Sequence, residues 1–224
     1  VSTGVVLGIV GLWLLARTVG PSAAAPGLVL GIAVGLVAAM QLRRRRGDHP
    51  RIGLQPLAGA AAAGAALATL AILASWRLGH DGGANWALRQ GLELGWWTDR
   101  LPFLPGKLLA VLVGAAIVAT VVIPDELVTR GVLLQDSQQR GWSLRRQLAL
   151  QGAITATAGL GGLWQQAAPA TVVLTHVVTL VALAVAATLA ARRTQGVLAP
   201  ILLHAVFRCV LVVHAFAWIP RLYR

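Results

Sequence analysis

Acidic residues are scarce: seven Asp and Glu stand against nineteen Lys and Arg in 224 residues, a net charge of +12. Cysteine is rarer still. Cys209 stands alone, which excludes an intramolecular disulfide and a thiolate metal cluster. It falls in an apolar run and is most simply a small packing residue. No strand pattern occurs, and no glycine-rich loop follows one, so a nucleotide site has nothing to build on. No H-E-x-x-H lies on any helix.

What the chain has instead is apolar surface. Hydrophobic residues make up 57% of it and charged residues 12%, far from a soluble balance. A spanning helix needs about 20 mostly apolar residues. Seven runs reach or approach that length: Val1–Ala16, Gly27–Leu42, Pro56–Leu78, Pro105–Ile123, Leu148–Trp164, Thr171–Ala191 and Val197–Ile219. In hydrocarbon the backbone must satisfy its own hydrogen bonds, so these are helices. The expectation is an all-α, polytopic membrane bundle with about seven spans and a short interfacial helix. Residues 1–104 supply N-terminal spans and an amphipathic loop, and residues 105–224 a core of about four helices, in one membrane domain.

The positive charge follows the ends of these runs. Loop 43–55 holds five arginines against one Asp, and the 136–147 connection carries Arg140, Arg145 and Arg146. Arg192 and Arg193 follow the sixth run, while "WQQAAPA" has no charge. This alternation is a topology signal, not a nucleic-acid footprint, and sets the N-terminus in the cytoplasm of a bacterial plasma membrane. The Arg43–Arg46 run also suits an anionic-lipid contact. The first run reads as a retained helix, not a secretory signal, since no basic residue precedes it.

Loop 79–104 opens with "GHDGG" and then spaces Trp86, Leu88, Leu92, Trp96 and Trp97 at helical intervals. That pattern predicts an amphipathic helix lying along the interface. Gly27, Gly31 and Gly35, and again Gly4 and Gly8, are four apart and predict smooth packing faces.

Ionisable groups at membrane depth are costly, so each one needs a reason. In "PDELVTRG", Glu126 and Arg130 are four apart and share a helix face. Pro124 either kinks a helix running from about residue 106 or starts a new one, in which case Asp125 and Glu126 are first-turn residues. His204 and Arg208 repeat the four-residue spacing deep in "VLAPILLHAVFRCVLVV", where capping cannot explain them. An arginine there needs a carboxylate, a carbonyl or water, and Asp125 and Glu126 are the nearest plausible partners. The two helices should therefore touch. His176 and His214 are the other intramembrane imidazoles. Their segments need not converge with that of His204, so zinc or another divalent metal is an alternative the ligand spacing does not favour.

With these residues in view, the chain resembles the CPBP family, the CAAX-prenyl proteases and bacteriocin-processing enzymes also called Abi. The family's first motif is E-E-x-x-x-R, and "DELVTRG" matches it with Asp125 for the first Glu. Its third motif is His followed four residues later by Asn or Asp. "APILLHAVFR" matches through Ala205 and then has Arg208. The second motif, F-x-x-x-H, is met best by "GGLWQ", which puts Gln165 in the histidine's place; His176 is a possible substitute. The resemblance covers residues 106–216.

It implies hydrolysis of a peptide bond in the bilayer by carboxylate-activated water, with no cofactor. Asp125 would be the base, Glu126 its neighbour and Arg130 the fixed countercharge. Gln165 would stand at the second-motif position, and His204 with Arg208 would face the oxyanion. The substrate would be a peptide or a membrane protein. A second class also fits: a degenerate member that binds or regulates a partner, as an immunity protein would. A third, a small transporter subunit with ions lining a path, does not account for the motifs.

Overall fold

The computed structural model describes residues 3–18, 32–40, 53–78, 106–164 and 169–222. Among these, every regular element is helical. The elements are α1 (Thr3–Thr18), α2 (32–40), α3 (Leu54–Leu78), α4 (106–139), α5 (Leu144–Trp164), α6 (Ala170–Thr194) and α7 (Leu198–Leu222). The interfacial helix expected within 79–104, the Arg43–Arg46 run and Gln165 lie outside the described residues.

Three described helices are long and apolar enough to cross a bilayer: Leu54–Leu78, Val111–Gln139 and Ala170–Thr194. Gly4–Leu15 and Leu198–His214 are shorter apolar stretches. The outward faces carry large apolar side chains, among them Leu7, Leu70, Val111, Leu174 and Val213, each more than 60% exposed. In water such a surface drives association; in hydrocarbon it is the ordinary outside of a protein. With the site residues buried on the inner faces, this is an integral membrane protein.

Two apolar clusters hold the bundle. One joins α3, α6 and α7 through Ala60, Ala68, Leu183, Leu203, Phe207 and Leu211. The Ala-rich run of α3 buries Ala60, Gly64, Ala68, Ala71 and Ser75 along one side. Those small residues let α7 come very close: a Cβ on Gly64 would collide with the Leu203 carbonyl oxygen and lie 3.1 Å from its carbon. Backbone cannot swing aside as a side-chain tip can. Gly64→Ala should therefore cost about 1–3 kcal/mol, as overpacking does, read from thermal unfolding in detergent. Ala60→Gly, on the same face, should cost only helix propensity, about 1 kcal/mol.

The second cluster joins α1 and α2 to α4, through Val6, Ile9, Val10, Trp13, Val34, Ala38, Val128 and Val132. Gly35 of α2 lies on Pro124, where an added Cβ would approach the proline Cβ to 2.9 Å. Gly35 thus makes the close approach expected of it; Gly27 and Gly31 lie outside the described residues. In α1 it does not: Gly4, Gly8 and Gly11 face open space, and the helix packs through its larger apolar residues.

Pro124 does not start a helix. α4 runs unbroken through it, so the first-turn explanation of Asp125 and Glu126 falls away. The ring would clash with the carbonyl four residues back in a regular α-helix. The chain avoids that by widening: residues Val118–Val122 are π-helical, with the Ile123 N–H bonding to the Val118 carbonyl five residues back. A second wide stretch, Leu127–Leu133, follows, ending with the Leu134 N–H on the Thr129 carbonyl. Winding of this kind inside a helix is most often met at functional sites.

Tight turns close the bundle at its basic end. After α4, Gly141 adopts φ +70°; its N–H bonds to the Gln138 carbonyl at 2.9 Å, and the Trp142 N–H to that of Ser137 at 3.0 Å. This is a Schellman cap with glycine at the left-handed position. After α6 the left-handed residue is Gln195, at φ 51°.

Candidate active site

The helix carrying "PDELVTRG" and the one carrying His204 meet directly. His204 Nδ1 lies 2.8 Å from Glu126 Oε1, across 78 residues of sequence. Glu126 is 1% exposed and His204 5%. Arg208, one turn along α7, donates from Nε to His204 Nε2 at 3.3 Å. With Nε2 accepting, the ring proton sits on Nδ1 and is donated to the carboxylate; the hydrogen-bond partners assign this tautomer.

Arg130 completes the arrangement from the same helix as Glu126. Its Nε stands 3.4 Å from Glu126 Oε2, and the pair is buried on both sides. The guanidinium also donates to Thr129 Oγ1 at 2.6 Å and to the Ala184 carbonyl of α6 at 3.2 Å. Thr188 Oγ1 donates to the same carbonyl at 2.7 Å. A buried charge is tolerated only when paired and hydrogen-bonded. The ion pair and these bonds meet most of that need; Glu126 Oε2 and Arg130 Nε, which face each other, make no hydrogen bond.

Asp125 sits differently. It is half-buried, and its Oδ1 accepts the indole N–H of Trp13 at 2.7 Å, 112 residues away in sequence. It lies within electrostatic reach of His204. Two carboxylates and two guanidiniums therefore surround a neutral imidazole, and their formal charges cancel. That balance suits a site with little water around it.

Thus Asp125, Glu126, Arg130, His204 and Arg208 come together. His176, on α6, is 5% exposed and within electrostatic reach of Arg208, with its ring against Gly159 of α5. A Cβ on Gly159 would lie 3.1 Å from His176 Nε2. His214 stands apart, edge-on to Trp76 with ring centroids 6.3 Å away. Among the described residues no three His, Cys, Asp or Glu side chains group as a metal ion would require. Cys209 packs toward α4, its sulfur 3.8 Å from where a Gly114 Cβ would be.

Sequence reasoning passed over three contributors. Trp13 looks like one more apolar residue in its run. Gln151 is 1% exposed and donates to the Thr129 carbonyl at 2.7 Å, meeting a group in the widened turn. Phe207, fully buried, backs the His204 ring at 6.4 Å between centroids. A glutamine within an apolar run was the one available signal for Gln151.

Residues 106–210 match the family model described as Rce1-like, type II CAAX prenyl endopeptidase Rce1-like. Over that segment, just under half of the chain, the protein is similar to the CAAX-prenyl endopeptidases. The segment contains both pairs that meet, Glu126–Arg130 and His204–Arg208, and the whole wide-wound stretch of α4. No curated protein and no solved structure matches the chain. Trp13, which bonds Asp125, lies outside the matched segment.

Proposed function

We propose that the protein is an intramembrane endopeptidase of the CAAX-prenyl type, hydrolysing a peptide bond with water activated by a carboxylate. The observation that carries this reading is the 2.8 Å contact between Glu126 and His204, buried and between helices. Two groups of one family's motifs converge only if the fold needs them together.

The roles divide by environment. Glu126 is held by Arg130 and His204, which makes it the residue that orients the imidazole. Asp125 accepts the neutral indole N–H of Trp13 and stands on the more open side. It is the base: it takes a proton from water as the oxygen attacks the scissile carbonyl. Arg208, positioned by its bond to His204 Nε2, donates to the carbonyl oxygen and stabilises the charge that develops there. The protein sits in a bacterial plasma membrane with about seven spans and its N-terminus in the cytoplasm, the basic turns lying on that side.

The test uses protein in liposomes and a farnesylated CAAX peptide. The wild type should release the terminal peptide, and His204→Ala should lower kcat by about 100- to 1,000-fold, because it frees both Glu126 and the oxyanion-binding Arg208 from the ring that positions them. Cleavage that survives His204→Ala ends the proposal.

One observation favours a second reading. Arg208 occupies the ring nitrogen of His204 that would otherwise face substrate. A member whose histidine is closed in this way could bind a partner without cleaving it, as an immunity or regulatory protein. Arg208→Asn restores the family's residue. If it cleaves where the wild type does not, the fold is competent and Arg208 is the lock; if both are inert, the binding reading stands.

A further inference from the structure

Beside the buried ion pair, at the basic end of the bundle, lies a cavity of about 500 Å³ between the ends of α4 and α6. Its composition is unusual for a membrane protein. Arg130 and Arg192 line it together with five glutamines and Trp142, and no lining residue is acidic. Two of its members are fixed by the fold. Gln147 is 1% exposed; its amide donates to the Trp142 carbonyl at 3.0 Å, and its Oε1 accepts from Arg192 at 2.8 Å. The long side chain of Arg192, itself exposed, is thus held by one nitrogen beside a lining that contains no carboxylate.

A third member is kept at a cost. Gln195 occupies the left-handed position after α6, where glycine is the unstrained choice and where the preceding turn uses Gly141. A non-glycine residue there costs about 1 kcal/mol or more. Gln195 is one of the residues that line the cavity.

We propose that this cavity binds the headgroup of an anionic phospholipid bearing hydroxyls, such as phosphatidylglycerol. The guanidinium of Arg192 presents several donors in a planar fork, which suits a phosphodiester. Glutamine amides both donate and accept, so they match hydroxyl groups that a bare cation site would leave unpaired. Trp142, 38% exposed at the mouth, has the amphipathic ring that sits where headgroup meets acyl chain. Arg145, Arg146 and Arg193 lie exposed around the same end and draw anionic lipid toward it. The volume is that of a small-molecule site and leaves the acyl chains outside, along the helices.

The test is native mass spectrometry and thermal unfolding of the whole chain in a neutral detergent, with phosphatidylglycerol, phosphatidylcholine or inorganic phosphate added. Phosphatidylglycerol should bind and stabilise the wild type, and Arg192→Gln should weaken it by about tenfold, the loss of one charge-assisted contact. Gln195→Gly should weaken binding while raising the unfolding temperature, since it removes an amide and relieves the turn. This second variant keeps the test sound if Arg192→Gln folds poorly. Arg193→Gln, one residue away but outside the lining, should bind as the wild type does.

An equal loss in Arg193→Gln would show diffuse surface charge and overturn the site. Equal binding of phosphatidylcholine would do the same. If inorganic phosphate stabilises as strongly as the lipid, the anion site stands and its occupant is free phosphate. Capture of an acidic peptide there, with no lipid bound, would also overturn the assignment.

Discussion

Asp125→Asn should abolish cleavage while leaving the protein folded. The substitution keeps size and shape, and the new amide oxygen can still accept the Trp13 indole N–H that now reaches Oδ1 at 2.7 Å. What it removes is the capacity to take a proton. General base catalysis contributes about 100- to 10,000-fold, so kcat should fall by that factor with little change in KM. The unfolding temperature should change little, because Asp125 is half-buried and the substitution keeps its size and its bond to Trp13. Glu126→Gln gives the contrast. It should reduce kcat less, through disorder of the imidazole, and should lower stability more. If the pattern reverses, with Asp125→Asn active and Glu126→Gln dead, then Glu126 is the base and the ion pair with Arg130 tunes it.

The meeting of α4 with α7 was legible because of a rule about cost, not about shape. An arginine at position 208 and carboxylates at 125 and 126 cannot each stay alone in hydrocarbon. They needed one another, so the helices had to touch. The pattern also predicted that Glu126 and Arg130 would pair, and they do at 3.4 Å. Arg208 also bonds the His204 ring one turn away through its Nε, a contact that the pairing of charges did not foretell.

Other features left no trace in the one-dimensional pattern. The wide turns on either side of Pro124 follow from a clash that hydropathy does not register. The reach of Trp13 to Asp125 depends on how α1 lies against α4, and a tryptophan in an apolar run gives no hint of it. Gly64 is hidden among alanines, and only the packing reveals that Leu203 needs its missing Cβ. The cavity at the basic end was invisible because its glutamines come from three separate segments, the end of α4, the start of α5 and the turn after α6.

Glu126→Ala should produce the largest loss of stability. Glu126 and Arg130 are 1% and 4% exposed, and the carboxylate is the only acidic group in ion-pair contact with that guanidinium among the described residues. Removing it leaves a buried positive charge with the Thr129 hydroxyl and the Ala184 carbonyl, neither of which carries a countercharge. Breaking a buried pair from one side costs about 3–5 kcal/mol. Arg130→Met should cost a comparable amount, since it strands the carboxylate beside a neutral imidazole. The two together, as Glu126→Gln with Arg130→Met, should cost much less than their sum, because neither variant leaves an unpaired charge once both are made. Thermal or denaturant unfolding in detergent measures the cycle. Arg130 also borders the cavity of about 500 Å³, which gives the experiment a second use. A loss under about 1 kcal/mol for Glu126→Ala would mean that water or a headgroup reaching in from that side solvates the guanidinium, since only an unscreened charge carries the full penalty. In that case adding phosphatidylglycerol should stabilise Glu126→Ala more than the wild type, and a neutral lipid should not.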